Sequence, residues 1–449
     1  MPPSLSRLLG RRGFAHGVHP PESKADTAAQ PIRQFPFAPL MIVPLLQHAG
    51  KAALPVVRAG QEVLRGELLA EPDGPLSVAM HAPASGRIEG IELAPSISGR
   101  MQPAIYLKPH PGSTQEAIEG PPCDVDTASP EQILRAIQWA GIVGLGGAAF
   151  PTHVKLKPPP DKPVDTLVIN GVECEPYLST DHRVMLEQPR DIFRGIRYLL
   201  KVSGARRALI GIEANKADAA EVLRAQYPAG SEVGVELLPV KYPQGAEKML
   251  IKALLGRTVP AGGLPSDVGV LTVNVATCAE IGRLLPRGQG IQERVVTITG
   301  PGVRQRGNYR IPIGTPLRFA LEHVGVSEEL SMVFLGGPMM GQALASLDIP
   351  ITKGTSGFVA FTRAETGRPA VEYPCIHCGY CVQACPMNLN PCDLGRFARK
   401  ERFEEMADGL QLFDCFECGC CSFVCPSHIP LVQSFRVAKN AVRKKRAAP

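Results

Sequence analysis

The chain has 449 residues, with 48 Lys and Arg against 42 Asp and Glu. The resulting net charge of +6 is too modest for this length to imply a nucleic-acid partner. The length exceeds one ordinary hydrophobic core and predicts several domains. The 45 Gly and 44 Pro fill 89 positions while aromatics make up only 5%, which suits many short strands and tight turns better than a helical bundle.

Residues 1–34, rich in proline and charge, read as a disordered leader, with Arg7, Arg11 and Arg12 near its start. The most apolar stretch, residues 35–46, contains Pro39 and Pro44 and falls short of the about 18 residues that a membrane span requires. From 35 to 112 short strands alternate with turns, notably Ala59-Gly60-Gln61-Glu62-Val63, Gly66, and His81 through Ser85-Gly86-Arg87-Ile88. This segment resembles the barrel-sandwich hybrid of biotinyl and lipoyl domains. Where carriers present a lysine, Val78-Ala79-Met80-His81 offers none, so a scaffold or docking role is expected.

Residues 130–285 alternate strand and helix patterns. Asp165 to Asn170, Ala208 to Ile212 and Val268 to Val275 read as strands, and Lys216 to Tyr227 and Gln244 to Leu255 have apolar residues at helical spacing, giving an α/β layer. Residues 293–362, with Val295 to Thr299, Gly300-Pro301-Gly302, a short helix near Leu317 to His323 and Gly336-Gly337-Pro338, are similar to a β-grasp insert of the soluble-ligand-binding type. A cysteine-rich module occupies 370–435. The tail, 436–449, carries Arg443, Lys444, Lys445 and Arg446 and is expected to be solvated and disordered. The expected fold class is therefore multidomain, mixing α/β and α+β parts and ending in a helical, ferredoxin-like module.

That module holds one pattern twice: Cys375, Cys378, Cys381 and Cys385-Pro386, then Cys415, Cys418, Cys421 and Cys425-Pro426, each forty positions after its counterpart. Three thiolates two residues apart wrap one side of a cubane, while a fourth before proline starts a new segment that leads it away. Zinc prefers two separated pairs closing one tetrahedron, and disulfides need an oxidising compartment, for which no secretory signal argues. The pattern points to two [4Fe-4S] clusters. By resemblance to two-cluster ferredoxins the fourth cysteines cross over, assigning Cys375, Cys378, Cys381 and Cys425 to one cluster and Cys385, Cys415, Cys418 and Cys421 to the other. Cys123, Cys174, Cys278, Cys392 and Cys420 remain as core or neighbouring residues. Cys420 adjoins Cys421, but only Cys421 keeps the spacing.

A second constellation is Gly144-Leu145-Gly146-Gly147-Ala148-Ala149-Phe150-Pro151-Thr152-His153-Val154-Lys155. Glycines allow close backbone approach to a phosphate, and Lys155 adds a positive charge within reach. The string resembles the flavin loop of the NADH-binding flavoprotein subunit of respiratory complex I. The resemblance continues through Asn170-Gly171-Val172-Glu173-Cys174-Glu175-Pro176, Gly245-Ala246-Glu247 and Asn274-Val275-Ala276-Thr277. It implies FMN contacts from Gly144, Gly146, Gly147, Lys155, Asn170, Glu173 and Asn274, and NADH contacts from Phe150, Glu175 and Glu247. Capping or solvation is the alternative role for the three glutamates. The chain departs from the family at Leu145, Val172 and Ala246, which replace an arginine, an aspartate and a glutamate.

In this domain order the chain resembles the RnfC family, a component of the Rnf ion-translocating electron transport complex, over residues 35–435. The resemblance implies a peripheral subunit on the cytoplasmic face of the bacterial inner membrane. It would pass electrons between NADH, through FMN, and integral membrane and peripheral partner subunits, through two [4Fe-4S] clusters, with ferredoxin a further partner. Two alternatives stay open: a soluble flavin and iron-sulfur reductase of the corrinoid (cobalamin) type, and a cluster relay without nucleotide binding.

Overall fold

The computed structural model describes residues 13–227, 232–367 and 371–447. Its first unit is an antiparallel sandwich. One sheet orders Met41–Pro44, Met101–Pro109, Gly86–Pro95 and Glu62–Val63, and the facing sheet orders Leu54–Pro55, Leu68–Glu71 and Met80–His81. The two inner faces bury Met41, Leu69, Ile88, Ile105 and Leu107 in one core. Val78, Ala79 and Met80 are fully buried, so the segment that carries a swinging lysine in carrier domains is here part of the interior.

The second unit holds a four-stranded parallel sheet ordered Val233–Leu238, Arg207–Glu213, Thr166–Asn170 and Val270–Asn274. Its strands are continuous apolar runs because helices cover both faces. Two of those helices, Pro189–Ser203 and Val275–Leu284, cross through paired glycines. A Cβ on Gly195 would stand 1.9 Å from the Cys278 carbonyl oxygen, and one on Gly282 would stand 2.0 Å from that of Asp191. The helices Ala217–Ala225 and Glu247–Leu255 fall where the periodicity predicts them.

The third unit is a mixed six-stranded sheet ordered Arg33–Gln34, Gly307–Pro312, Glu293–Thr299, Gly357–Thr362, Leu330–Leu335 and Gln342–Ala343, packed on the Leu317–Val324 helix. Short helices and the long Leu431–Ala447 helix close the cysteine module around Leu394, Met406, Leu412 and Phe435.

Both chain ends differ from expectation. Residues 1–12 of the leader lie outside the described residues, but 13–34 are ordered. Val18 pairs with Tyr242, the Lys24 ammonium donates to the Glu173 carbonyl at 2.5 Å, and Arg33–Gln34 extends the third sheet alongside Tyr309 and Arg310. A composition poor in local structure is ordered by partners far along the chain. The basic tail is helical to Ala447, because Lys439 is buried against Glu417 at 2.8 Å and Arg446 reaches Asp408 at 2.7 Å. Residues 448 and 449 lie outside the described residues.

The first three units meet at Lys353. Its buried ammonium donates to the carbonyls of Ala79 at 2.6 Å and Gly141 at 2.9 Å, and its amide donates to Gln47 Oε1. Burial pushes the Lys353 pKa down to about 7. Between that value and the ordinary 10.5, the unfolded chain holds the proton and the folded chain does not, so raising pH through this window favours the fold. Lys353→Met is expected to lower the melting temperature by orphaning two carbonyls, at about 1–3 kcal/mol each. The deficit relative to wild type should grow from pH 7 toward pH 10, as followed by thermal denaturation at several pH values.

Candidate functional site

Asn170 and Asn274 stand side by side as the last residues of neighbouring parallel strands, paired in register. The carboxyl ends of parallel strands are where α/β sheets bind ligands. Asn274 Oδ1 caps the following helix by accepting from the amides of Ala276 at 3.0 Å and Thr277 at 3.2 Å, while its Nδ2 donates to Asp181 at 2.7 Å. Asn170 Nδ2 donates to the Gly245 carbonyl at 2.8 Å, and its Oδ1 accepts from the Val172 amide. Both side chains are held from two directions.

The glycine loop folds over this edge. Its ends are tied by Gly144 N to Phe150 O at 2.8 Å and Ala149 N to Gly144 O at 3.0 Å, and Thr277 Oγ1 accepts from the Leu145 amide at 2.9 Å. Gly146 lies directly on Asn274, where a Cβ would stand 3.2 Å from Nδ2. Gly147 has φ +101°, and a Cβ there would meet nothing within 4 Å, so its backbone is open to an approaching group. Lys155 ends a single helical turn, and its ammonium meets Glu247 at 2.7 Å with both side chains about one-third exposed. Phe150 is exposed on the same loop.

Two of the expected contacts also have structural partners. The Glu173 carboxylate caps the Thr180–Glu187 helix, accepting from Thr180 Oγ1 at 2.9 Å and from the amides of Asp181 at 2.8 Å and His182 at 3.2 Å. Spacing alone could not separate this capping role from a flavin contact, because the acceptor chemistry is the same. Glu175 accepts from the amides of Met339 at 2.7 Å and Met340 at 3.0 Å, in the hairpin that packs against the cysteine module. Burial raises the Glu175 pKa despite these bonds.

Residues that the motifs do not contain complete the site. Arg294, buried in the strand Glu293–Thr299, donates to Leu145 O at 2.9 Å, and its Nε is buried with no protein partner. Thus the third unit brings a guanidinium to the loop in which Leu145 supplies none. Burial lowers the Arg294 pKa to about 10. Asp181 is pushed up to about 7, first by burial and then by the charge of Glu173. The sequence signal for Arg294 is weak: it is a charged residue, next to Glu293, at the start of a strand that proves buried throughout.

The cysteines form two groups. Cys375, Cys378, Cys381 and Cys425 line one cavity. Burial and then the charges of Cys378 and Cys425 raise the Cys381 pKa. Cys421 is raised by burial and then by Cys415, Cys418 and Cys385, which marks the second group. So Cys425 sits with the first triplet and Cys385 with the second. Cys420 is fully buried in the same small cluster as Cys418. The second group faces the sheet-edge site: Tyr242 Oη donates to Cys418 O at 2.7 Å, and three residues on, the Gly245 amide donates to Cys174 Sγ at 3.2 Å.

Comparison with known proteins agrees with this layout. Residues 12–111 match the RnfC barrel sandwich hybrid domain, 137–283 the Nuo51 FMN-binding domain, 295–343 the SLBB domain and 374–429 the 4Fe-4S dicluster domain. The corresponding subunit of the proton-translocating ferredoxin:NAD(+) oxidoreductase complex of Clostridium ljungdahlii is 42% identical, over 96% of this chain and 94% of its own length. The chain belongs to the RnfC family. A second member, from the Na(+)-translocating complex of Acetobacterium woodii, is 39% identical over 96% of this chain and 98% of its own. A solved NAD+-reducing [NiFe]-hydrogenase chain aligns at 18% identity and a TM-score of 0.48, over 72% of this chain and 70% of that one.

In this RnfC-family chain the cap on Thr180–Glu187 also holds Asp181 against Asn274. Glu173→Ala is expected to cost about 1 kcal/mol through the lost cap. Thermal denaturation should show the loss, and Glu173→Gln, which keeps an acceptor oxygen, should recover part of it.

Proposed function

We propose that this chain is the electron-transferring subunit of a membrane-associated, ion-translocating ferredoxin:NAD(+) oxidoreductase complex, with FMN and two [4Fe-4S] clusters as its cofactors and NAD(H) as its substrate. The observation that carries the reading is one continuous arrangement. The edge of the FMN-binding domain, through Tyr242, abuts the Cys418 group of a dicluster domain, in a chain with relatives of this complex along nearly its whole length.

The residues present fit these groups. An open backbone at Gly147 and an unpartnered buried Arg294 Nε suit a phosphate, and two sets of free thiols with no competing disulfide suit clusters. Gly144, Gly146, Gly147, Lys155, Asn170, Glu173 and Asn274 would hold FMN, and Phe150, Glu175 and Glu247 would face NADH. The crossed sets Cys375, Cys378, Cys381, Cys425 and Cys385, Cys415, Cys418, Cys421 would hold the clusters. When bound, FMN would accept an electron pair as hydride and the clusters would carry electrons singly. The chain's own part is positional. Asn274 lies under Gly146 of the loop while Asn170 holds Gly245, the Thr352 to Thr355 turn packs over the loop through Gly354 against Ala149, and Tyr242 locks the Cys418 group to the domain edge.

The Cys418 group stands inward and the Cys375 group outward, where Ile376, Cys378 and Tyr380 are exposed. Electrons leaving the flavin side would exit through the outer group to partner subunits, integral membrane ones or ferredoxin, at the cytoplasmic face of the inner membrane. Among the described residues no helix is long and apolar enough to cross a membrane.

Anaerobically purified protein is expected to hold FMN and iron together and to bleach its flavin absorbance on NADH addition. Intact clusters without bleaching would favour the relay alternative. Lys155→Ala should release FMN on gel filtration while iron content stays at the wild-type level, and parallel loss of both would count against separate sites. Cys385→Ser should alter the paramagnetic spectrum of the Cys415, Cys418, Cys421 cluster. A change confined to the other cluster would refute the crossing.

A further inference from the structure

Cys392 stands beside one of the eight patterned cysteines without belonging to the pattern. It is the second residue of the Pro391–Arg399 helix, whose start is set by Pro391 and by Asn390 Oδ1 accepting from the Asp393 amide at 3.1 Å. Its Sγ lies 3.8 Å from Cys375 Sγ and 3.9 Å from His377 Nδ1. The ligating atoms of Cys375, His377 and Cys392 all fall within 4.8 Å of one another. The separation is far beyond the about 2 Å of a disulfide and suits an S–H group pointing at a neighbouring sulfur. The helix places this thiol on the wall of the Cys375, Cys378, Cys381, Cys425 cavity, outside the loop that carries the triplet.

We propose that Cys392 is a hydrogen-bond donor to the Cys375 sulfur and that it raises the reduction potential of the outer cluster. This rests on the ligand set proposed above. Reduction adds negative charge that spreads onto the ligand sulfurs, and a donor aimed at one of them stabilises the reduced form more than the oxidised one. The cavity wall is partly desolvated, with Cys375 and Cys392 both half-buried, which strengthens the effect over that of a donor in water. A raised outer potential makes transfer from the inner group to the outer one more favourable. Cys392 is then a positioning residue that tilts flow outward.

The test uses the full chain, purified anaerobically as wild type, Cys392→Ala, Cys392→Ser and Cys375→Ser. Iron and FMN are quantified, and each cluster is followed by paramagnetic resonance during redox titration. Cys392→Ala is expected to keep wild-type iron and FMN, leave the inner midpoint unchanged and shift the outer midpoint to lower potential. Cys392→Ser, which retains a donor at the same place, should restore most of that shift. An unchanged or raised outer midpoint in Cys392→Ala would overturn the proposal, as would a serine variant no better than alanine, since volume would then be the cause. Iron loss from Cys392→Ala would make Cys392 a ligand and also overturn it. Cys375→Ser separately checks the ligand set: if neither cluster signal changes, that assignment fails, whatever Cys392 does.

Discussion

Two asparagine side chains at the carboxyl ends of neighbouring parallel strands organise everything around them. Because Asn170 and Asn274 are paired in register, their amides emerge next to each other, and each is used twice. Asn274 caps one helix and holds Asp181 of another, and Gly146 rests closely on it, where a Cβ would stand 3.2 Å from Nδ2. Asn170 holds Gly245, whose amide reaches Cys174. From Gly245 the chain runs back three residues to Tyr242, which bonds the cysteine module. Shifting either strand by one residue would turn these amides to the opposite face and detach the glycine loop and the module together.

Around that edge the units are joined by buried lysine and arginine side chains that donate to carbonyl oxygens more than to carboxylates. Lys353 binds Ala79 and Gly141, Lys24 binds Glu173 O, and Arg294 binds Leu145 and Thr355. A buried charge without a counter-ion is costly, so each such contact constrains geometry more than it stabilises. For Arg294 the incomplete satisfaction is informative. A guanidinium with a free buried nitrogen beside a glycine loop suits an anionic group there. It also offers a physical reason why the loop tolerates Leu145, since the positive charge arrives from the third unit.

The cysteine module shows division of labour within a repeat. The two halves of the duplicated pattern are chemically alike, yet one is packed against Tyr242, Met339 and Val18 of the leader, while the other borders solvent at Ile376 and Tyr380. Burial and hydrogen bonds to sulfur set cluster potentials, so unequal surroundings make unequal clusters from equal ligands. Direction in such a relay comes from this asymmetry.

The duplicated cysteines were legible in the sequence because their spacing is local, and the glycine loop and both asparagines were legible as short strings that resemble a flavoprotein family. Three of the four strands of the parallel sheet were legible as apolar runs, and the edge strand Val233–Leu238, half-buried and carrying Glu236, was not. Glu173 and Glu175 were recognised as acids of the site, but their partners, a helix start and a hairpin more than 160 residues away in the case of Glu175, could not be read. The ordered leader, the helical tail, Arg294 at the loop and Cys392 beside Cys375 were decided only in three dimensions. In each case the interaction that fixes the residue joins elements whose proximity depends on packing. Sequence by itself determined which chemistry this chain carries; tertiary structure decided which group faces inward and which meets the surface, because burial belongs to the folded chain and not to the motif.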